Sequence, residues 1–172
     1  MPDNQTMIEF DHEDFEFETL EDELRVDGLC RQLLHQFYNH LQNIDLTPQR
    51  ASELAFSVDY FVRDYLLDFL QQNVLRPLPG QLRYFAASWY ITRTLEPELV
   101  VLERHLDGII AWYRFLRERH LISTDELAML ELEADQREYY RGRIERFLAL
   151  AGKGYEEWDH ECTLRAAATV SS

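Results

Sequence analysis

The sequence has little glycine, proline or cysteine, and it lacks a long apolar run. Six glycines and five prolines disfavour a turn-rich all-β fold and a chain dominated by linkers. Two cysteines, Cys30 and Cys162, are too few for a disulfide framework or a cysteine-based zinc module. The longest strongly apolar stretch, around Phe85 to Ile91, is far shorter than the roughly 20 residues of a membrane span. The first residues are acidic, unlike the positive start of a secretory signal, so we expect a cytoplasmic protein without a membrane segment.

The chain does contain enough apolar residues for a core, together with an excess of acidic residues. Hydrophobic residues make up 46% of the 172 residues, which suffices for one domain. The formal net charge is −15 and is unevenly distributed. Residues 1–27 hold eleven acidic residues and one arginine, Arg25, whereas residues 28–122 hold ten of each sign. A negative field of this kind repels nucleic acid and anionic lipid at long range.

The N-terminal segment sets phenylalanines among carboxylates. From Asp14 to Glu18 an acidic residue alternates with phenylalanine, which fits a short edge strand or an extended acidic arm. We predict an arm over residues 1–18 that docks onto a protein partner with a basic surface. Burial of the phenylalanines would supply affinity, and the carboxylates would speed the encounter. The candidate partner-binding residues are Phe10, Phe15, Phe17, Glu13, Asp14 and Glu16.

Apolar residues recur at helical spacing through the rest of the chain. Thr19, Thr47 and Ser123 are predicted N-caps, and the helix after Ser123 is predicted to run to Ala151. The apolar stripe of the first helix consists of Leu20, Leu24, Cys30, Leu34, Phe37, Leu41 and Ile44. The sequence therefore predicts an all-α, single-domain bundle of about five helices. The bundle is assigned to residues 19–151, and a C-terminal extension to residues 152–172.

The motifs of the common enzyme classes are absent from the sequence. The chain has no glycine-rich phosphate loop, no G-x-S-x-G elbow and no H-E-x-x-H pair. Glu157 and His160, with Cys162 nearby, have the spacing of a metal-binding pair on a helix, and Glu9 and His12 repeat it. A di-metal bundle needs further ligands on long helices, whereas both pairs fall in terminal segments. The sequence therefore indicates no metal, no cofactor and no catalytic residue, and it favours a non-catalytic protein.

One stretch resembles a known family. Residues 105–123 read HLDGIIAWYRFL followed by RERHLIS, and they resemble the last helices of the core-binding domain of tyrosine recombinases and phage integrases. With the helical patterns upstream, the likeness covers about residues 50–125 and implies a four-helix, SAM-like domain. The remaining residues leave no room for that family's catalytic domain, so recombination is not carried over. The resemblance implies anion or DNA contact through four arginines, Arg104, Arg114, Arg117 and Arg119, which lie in the stretch of residues 28–122 that carries no net charge.

Three functions are compatible with these patterns. The leading hypothesis is an acidic helical protein, an adaptor or regulatory subunit, that acts through protein–protein contacts. One alternative is a small accessory DNA-binding domain of the recombinase core-binding type, with its arm covering a basic groove. The other is a metal-dependent enzyme of the helical-bundle class. The negative charge disfavours nucleic acid as the partner.

Overall fold

The structure, a computed structural model, describes residues 9–165. Every regular element in that range is helical, and the range contains no β-strand. The prediction of an all-α fold is therefore confirmed. Within residues 9–165, none of the helices combines the length and the hydropathy that a transmembrane span requires. The predicted arm and C-terminal extension both run beyond the described residues, at residues 1–8 and 166–172.

The described residues form seven helices of α or π type after a short 3₁₀ helix, compared with about five predicted. Two of the seven helices consist of more than one segment. The bounds of all segments in chain order are the 3₁₀ helix His12–Phe15, α1 Leu20–Asn43, α2 Pro48–Asp59, a first π-helix Tyr60–Phe69, α3 Gln81–Tyr84, a second π-helix Phe85–Trp89, α4 Tyr90–Arg93, α5 Leu99–Glu118, α6 Thr124–Ala134, α7 Arg137–Leu148 and α8 Tyr155–Glu161. The first π-helix continues α2 directly. The second joins α3 to α4 in one unbroken helix.

The predicted N-caps form in the structure. The Thr19 hydroxyl accepts the backbone N–H three residues later at 3.1 Å, and the Thr47 hydroxyl does the same at 3.1 Å. Ser123 and Glu126 form a complete capping box, each side chain accepting the backbone N–H of the other residue. A helix start leaves backbone donors without partners, and these side chains satisfy them. The starts of α1, α2 and α6 are therefore where the sequence places them.

The last predicted helix is divided in two. Gln136 has φ −77° and ψ 45°, outside the helical region, and separates α6 from α7. Just before it, the Glu133 side chain is buried, and its carboxylate accepts the backbone N–H groups of Gly80 at 3.2 Å and Arg83 at 3.0 Å. The Tyr140 hydroxyl donates to the Glu133 backbone oxygen. Because Glu133 ties the end of α6 to the start of α3, the chain turns there and α7 packs against the second π-helix.

The centre of the bundle is the contact between α2 and α5. A Cβ atom on Gly108 would lie 3.0 Å from the Leu54 backbone oxygen, so glycine allows the two helices to approach this closely. The surrounding core is aromatic. Trp112 is fully buried and packs edge-on against Phe37, with 5.4 Å between ring centroids. Further buried rings belong to Phe61, Tyr65, Phe85, Tyr90, Tyr113 and Phe115.

Candidate functional site

Residues 9–18 lie against the helical bundle. The Nε2 atom of His12 is 2.5 Å from the Leu121 backbone oxygen, and the Asn73 side-chain amide donates to the His12 backbone oxygen at 2.8 Å. The Arg25 guanidinium donates to two backbone oxygens of the segment, at 2.6 and 3.0 Å. These bonds fasten the segment to α1, to the loop before α3 and to the turn between α5 and α6.

The phenylalanines of this segment contact the core of the same chain. Phe15 is fully buried, and its ring centroid lies 5.8 Å from that of Phe10. Phe10 and Phe17 are partly buried and pack against the same core. In this conformation the Phe15 ring is inaccessible to a partner, and it holds the segment to the fold. The rings expected to bury against a partner are thus already in contact with this chain.

The carboxylates of the segment remain at the surface. Glu13, Asp14 and Glu16 are all exposed. Glu16 pairs with Arg76 at 2.9 Å, and the Asp14 carboxylate accepts a backbone N–H at 3.2 Å within its own 3₁₀ turn. Glu13, and Glu21 at the start of α1, have no cationic partner among the described residues. The segment therefore presents its negative charge outward.

Two leucines beside these carboxylates are exposed, although the sequence places them on the buried stripe of α1. Leu20 is 72% exposed and Leu24 is 67% exposed. They are one helical turn apart, so their side chains are neighbours. The buried residues of α1 begin only at Val26, and the first turns of the helix therefore extend past the core. We call this region the acidic N-terminal surface and define it by Glu13, Asp14, Glu16, Leu20, Glu21 and Leu24.

The four arginines predicted to contact an anion do not form one cluster. Arg114 pairs with Glu131 of α6 at 3.2 Å. Arg117 donates to a hydroxyl at the start of α6 at 2.9 Å, and Arg119 donates to a side-chain amide of α1 at 2.9 Å. Arg104 lies nearly three helical turns before Arg114 on α5, at a groove between α2 and α5. Three of the four arginines therefore have partners within the chain.

The residues of the candidate metal pairs lie at α8 and in the N-terminal segment. Among residues 9–165, no three histidine, cysteine, aspartate or glutamate side chains are close enough to hold one ion. Glu157 and His160 belong to α8. The contact that holds α8 in place involves neither of these side chains. The fully buried Arg143 donates to the Trp158 backbone oxygen at 2.6 Å, and its guanidinium lies 3.8 Å from the centroid of the indole ring. The described residues around α8 thus provide packing, and no ligand set.

A groove of about 500 Å³ lies between α2, α4 and α5, and we call it the Phe56 groove. Phe56 and Val101 line it, and Phe56 is 69% exposed. His105 and Ser57 line its inner side, with the His105 Nδ1 atom 2.8 Å from the Ser57 hydroxyl oxygen. Burial, assisted by the charge of neighbouring Arg104, lowers the pKa of His105 to about 4. The imidazole is therefore neutral at pH 7.

Ser57 and His105 are residue types that can act as nucleophile and base. The Ser57 side chain, however, is 1% exposed and lies within α2, so a substrate carbonyl cannot reach its hydroxyl. The pair gives a buried hydroxyl and a buried imidazole a hydrogen bond between α2 and α5. We assign this bond a structural role. Sequence reasoning missed the pair because the two residues are 48 positions apart.

Comparison with known proteins identifies no relative. No family model matches the chain, and searches of the curated proteins and of the solved structures gave no match. The function is therefore inferred from the surfaces described above.

Proposed function

We propose that this chain is a non-catalytic helical protein, an adaptor or regulatory subunit, that binds a basic protein partner through the acidic N-terminal surface. The observation that carries the proposal is the pair of exposed leucines, Leu20 and Leu24, set among carboxylates. A single exposed leucine is ordinary on a folded protein. Two adjacent ones at the end of a helix, bordered mostly by carboxylates, favour a contact site; the one neighbouring cation, Arg25, is bonded to backbone oxygens of the N-terminal segment.

The leucines would supply the affinity of this contact. Burying a leucine side chain is worth about 1.5–3 kcal/mol. Leu20 and Leu24 expose 72% and 67% of their surface, so roughly two thirds of that free energy is available on binding. The sequence analysis assigns the apolar contact with the partner to the phenylalanines. In this proposal the two leucines make that contact instead.

The carboxylates would set the speed and the charge preference of the encounter. Glu13 and Glu21 have no cationic partner among residues 9–165, so lysine or arginine of a partner can pair with them. Their attraction acts over about 8–10 Å at physiological ionic strength and weakens with added salt. Phe15 contributes indirectly, because its burial fixes the segment that carries Glu13 beside α1.

The experiment compares the proteins that three immobilised forms retain from a lysate of the organism that encodes the chain. The forms are the wild type, a Leu20→Ser/Leu24→Ser variant, and a Leu132→Ser/Leu148→Ser control. Leu132 and Leu148 are 69% and 58% exposed on other helices, so the control removes matched apolar surface elsewhere. We expect one or more basic proteins that the wild type and control retain, and that the Leu20/Leu24 variant retains at least about tenfold less.

Far-UV circular dichroism should show that both variants keep the helical fold, because all four leucines are at the surface. Retention by all three forms alike would contradict the proposal. So would a retained partner that is acidic, or one whose binding does not weaken as salt is raised.

A further inference from the structure

One arginine at the Phe56 groove lacks a partner in the chain. All sixteen arginines of the sequence lie within residues 9–165. Among these described arginines, Arg104 is the one that makes no hydrogen bond, ion pair or ring contact. No carboxylate of residues 9–165 pairs with this guanidinium. Glu53, which also lines the groove, pairs with Arg50 at 3.5 Å. Arg104 is exposed at the groove and can form charge-assisted hydrogen bonds with an anion from outside.

His105 offers a second polar group in the same groove. Its Nδ1 atom is engaged by the Ser57 hydroxyl at 2.8 Å, whereas its Nε2 atom has no hydrogen-bond partner among the described residues. When Ser57 donates to Nδ1, the proton of the neutral ring is on Nε2. That N–H is then a donor for a ligand that enters the groove.

The rest of the groove is largely apolar. Phe56, Tyr60 and Val101 line it, and the Tyr60 ring packs 5.4 Å from that of His105 and 5.3 Å from that of Trp89, measured between centroids. Its volume of about 500 Å³ suits a small molecule. Apolar walls with a few convergent polar groups are typical of sites that bind such ligands.

We propose that the Phe56 groove binds a small organic carboxylic acid with an apolar body. The carboxylate accepts hydrogen bonds from the Arg104 guanidinium and from His105 Nε2. The apolar body lies on Phe56, Tyr60 and Val101. Binding is reversible and involves no covalent step. The proposal uses none of the residues of the acidic N-terminal surface, so it stands or falls independently of the proposed function.

Isothermal titration calorimetry of the full chain with octanoate, 1-octanol and octylamine tests the site. These probes share one apolar body and differ in the charge of the head group. We expect the wild type to bind octanoate at least about tenfold more tightly than 1-octanol or octylamine. The Arg104→Gln variant should bind octanoate and 1-octanol alike. The Arg114→Gln control removes the same charge from the same helix and should keep the preference for octanoate.

A second variant tests the apolar wall without disturbing the core. Phe56 is 69% exposed, so Phe56→Asp should fold normally and should lose octanoate binding through repulsion of the carboxylate and loss of apolar contact. Equal affinity of the wild type for octanoate and 1-octanol would overturn the proposal, as would unchanged octanoate binding by Arg104→Gln or by Phe56→Asp. No saturable binding of octanoate would also overturn it.

Discussion

Phe15→Ala tests whether the N-terminal segment is part of the folded core. The Phe15 side chain is fully buried and packs beside Phe10, at the point where the segment meets the bundle. Removing a buried phenylalanine ring forfeits its transfer free energy and leaves a cavity, which together cost about 3–5 kcal/mol. Folded domains are stable by only about 5–15 kcal/mol, so the loss is a large part of the total.

The assay is urea unfolding followed by far-UV circular dichroism, with the free energy of unfolding extrapolated to water. Phe56→Ala is the matched control, because it deletes the same ring from a position that is 69% exposed. We expect the control to change stability by no more than about 0.5 kcal/mol. A loss below about 0.5 kcal/mol for Phe15→Ala as well would refute the burial of this segment in the core.

Three further predictions concern the core, a buried histidine and nucleic acid. Trp112→Ala should lower the free energy of unfolding by about 3–5 kcal/mol in urea, since the ring is fully buried; a change under about 0.5 kcal/mol would place it at the surface. Burial holds the pKa of His105 near 4, below its ordinary 6.5, so the unfolded chain binds more protons between those values. The contribution of His105 to stability should therefore be full above about pH 6.5 and fall towards pH 4. His105→Asn should reduce the fall in the urea midpoint between about pH 7 and pH 5. An equal fall in both forms would show that another group causes it. Duplex DNA should not bind at physiological salt in fluorescence anisotropy, because the net charge is −15; binding with a steep salt dependence would instead support the DNA-binding alternative.

The helical architecture was predictable because its signals are local. The caps at Thr19, Thr47 and Ser123 act within one helical turn, and each forms as the sequence predicts. The break between α6 and α7 was not predictable, since it depends on Glu133 binding the backbone at Gly80, 53 positions away. No sequence pattern predicts the two π-helices, whose apolar residues also fit the spacing of an ordinary helix.

The candidate surfaces were harder to predict than the fold. Acidic residues and phenylalanine alternate over residues 14–18, and this pattern fits a free arm as well as it fits a segment anchored by Phe15. Leu20 and Leu24 match the spacing of the apolar residues of α1. Only the folded structure shows that this end of the helix extends past the core and leaves both side chains exposed. Arg104 differs from the other described arginines in making no hydrogen bond, ion pair or ring contact, which is a property of the folded chain.

Hydrogen–deuterium exchange of the chain, alone and with the partner retained by the wild type, tests the interaction surface most directly. Backbone amides at a binding surface exchange more slowly when a partner covers them. We predict slower exchange in residues 9–27, where Glu13, Leu20 and Leu24 lie at the surface, with little change in α6 and α7. Unchanged exchange in residues 9–27, with protection confined to other helices, would contradict the proposed role of the acidic N-terminal surface.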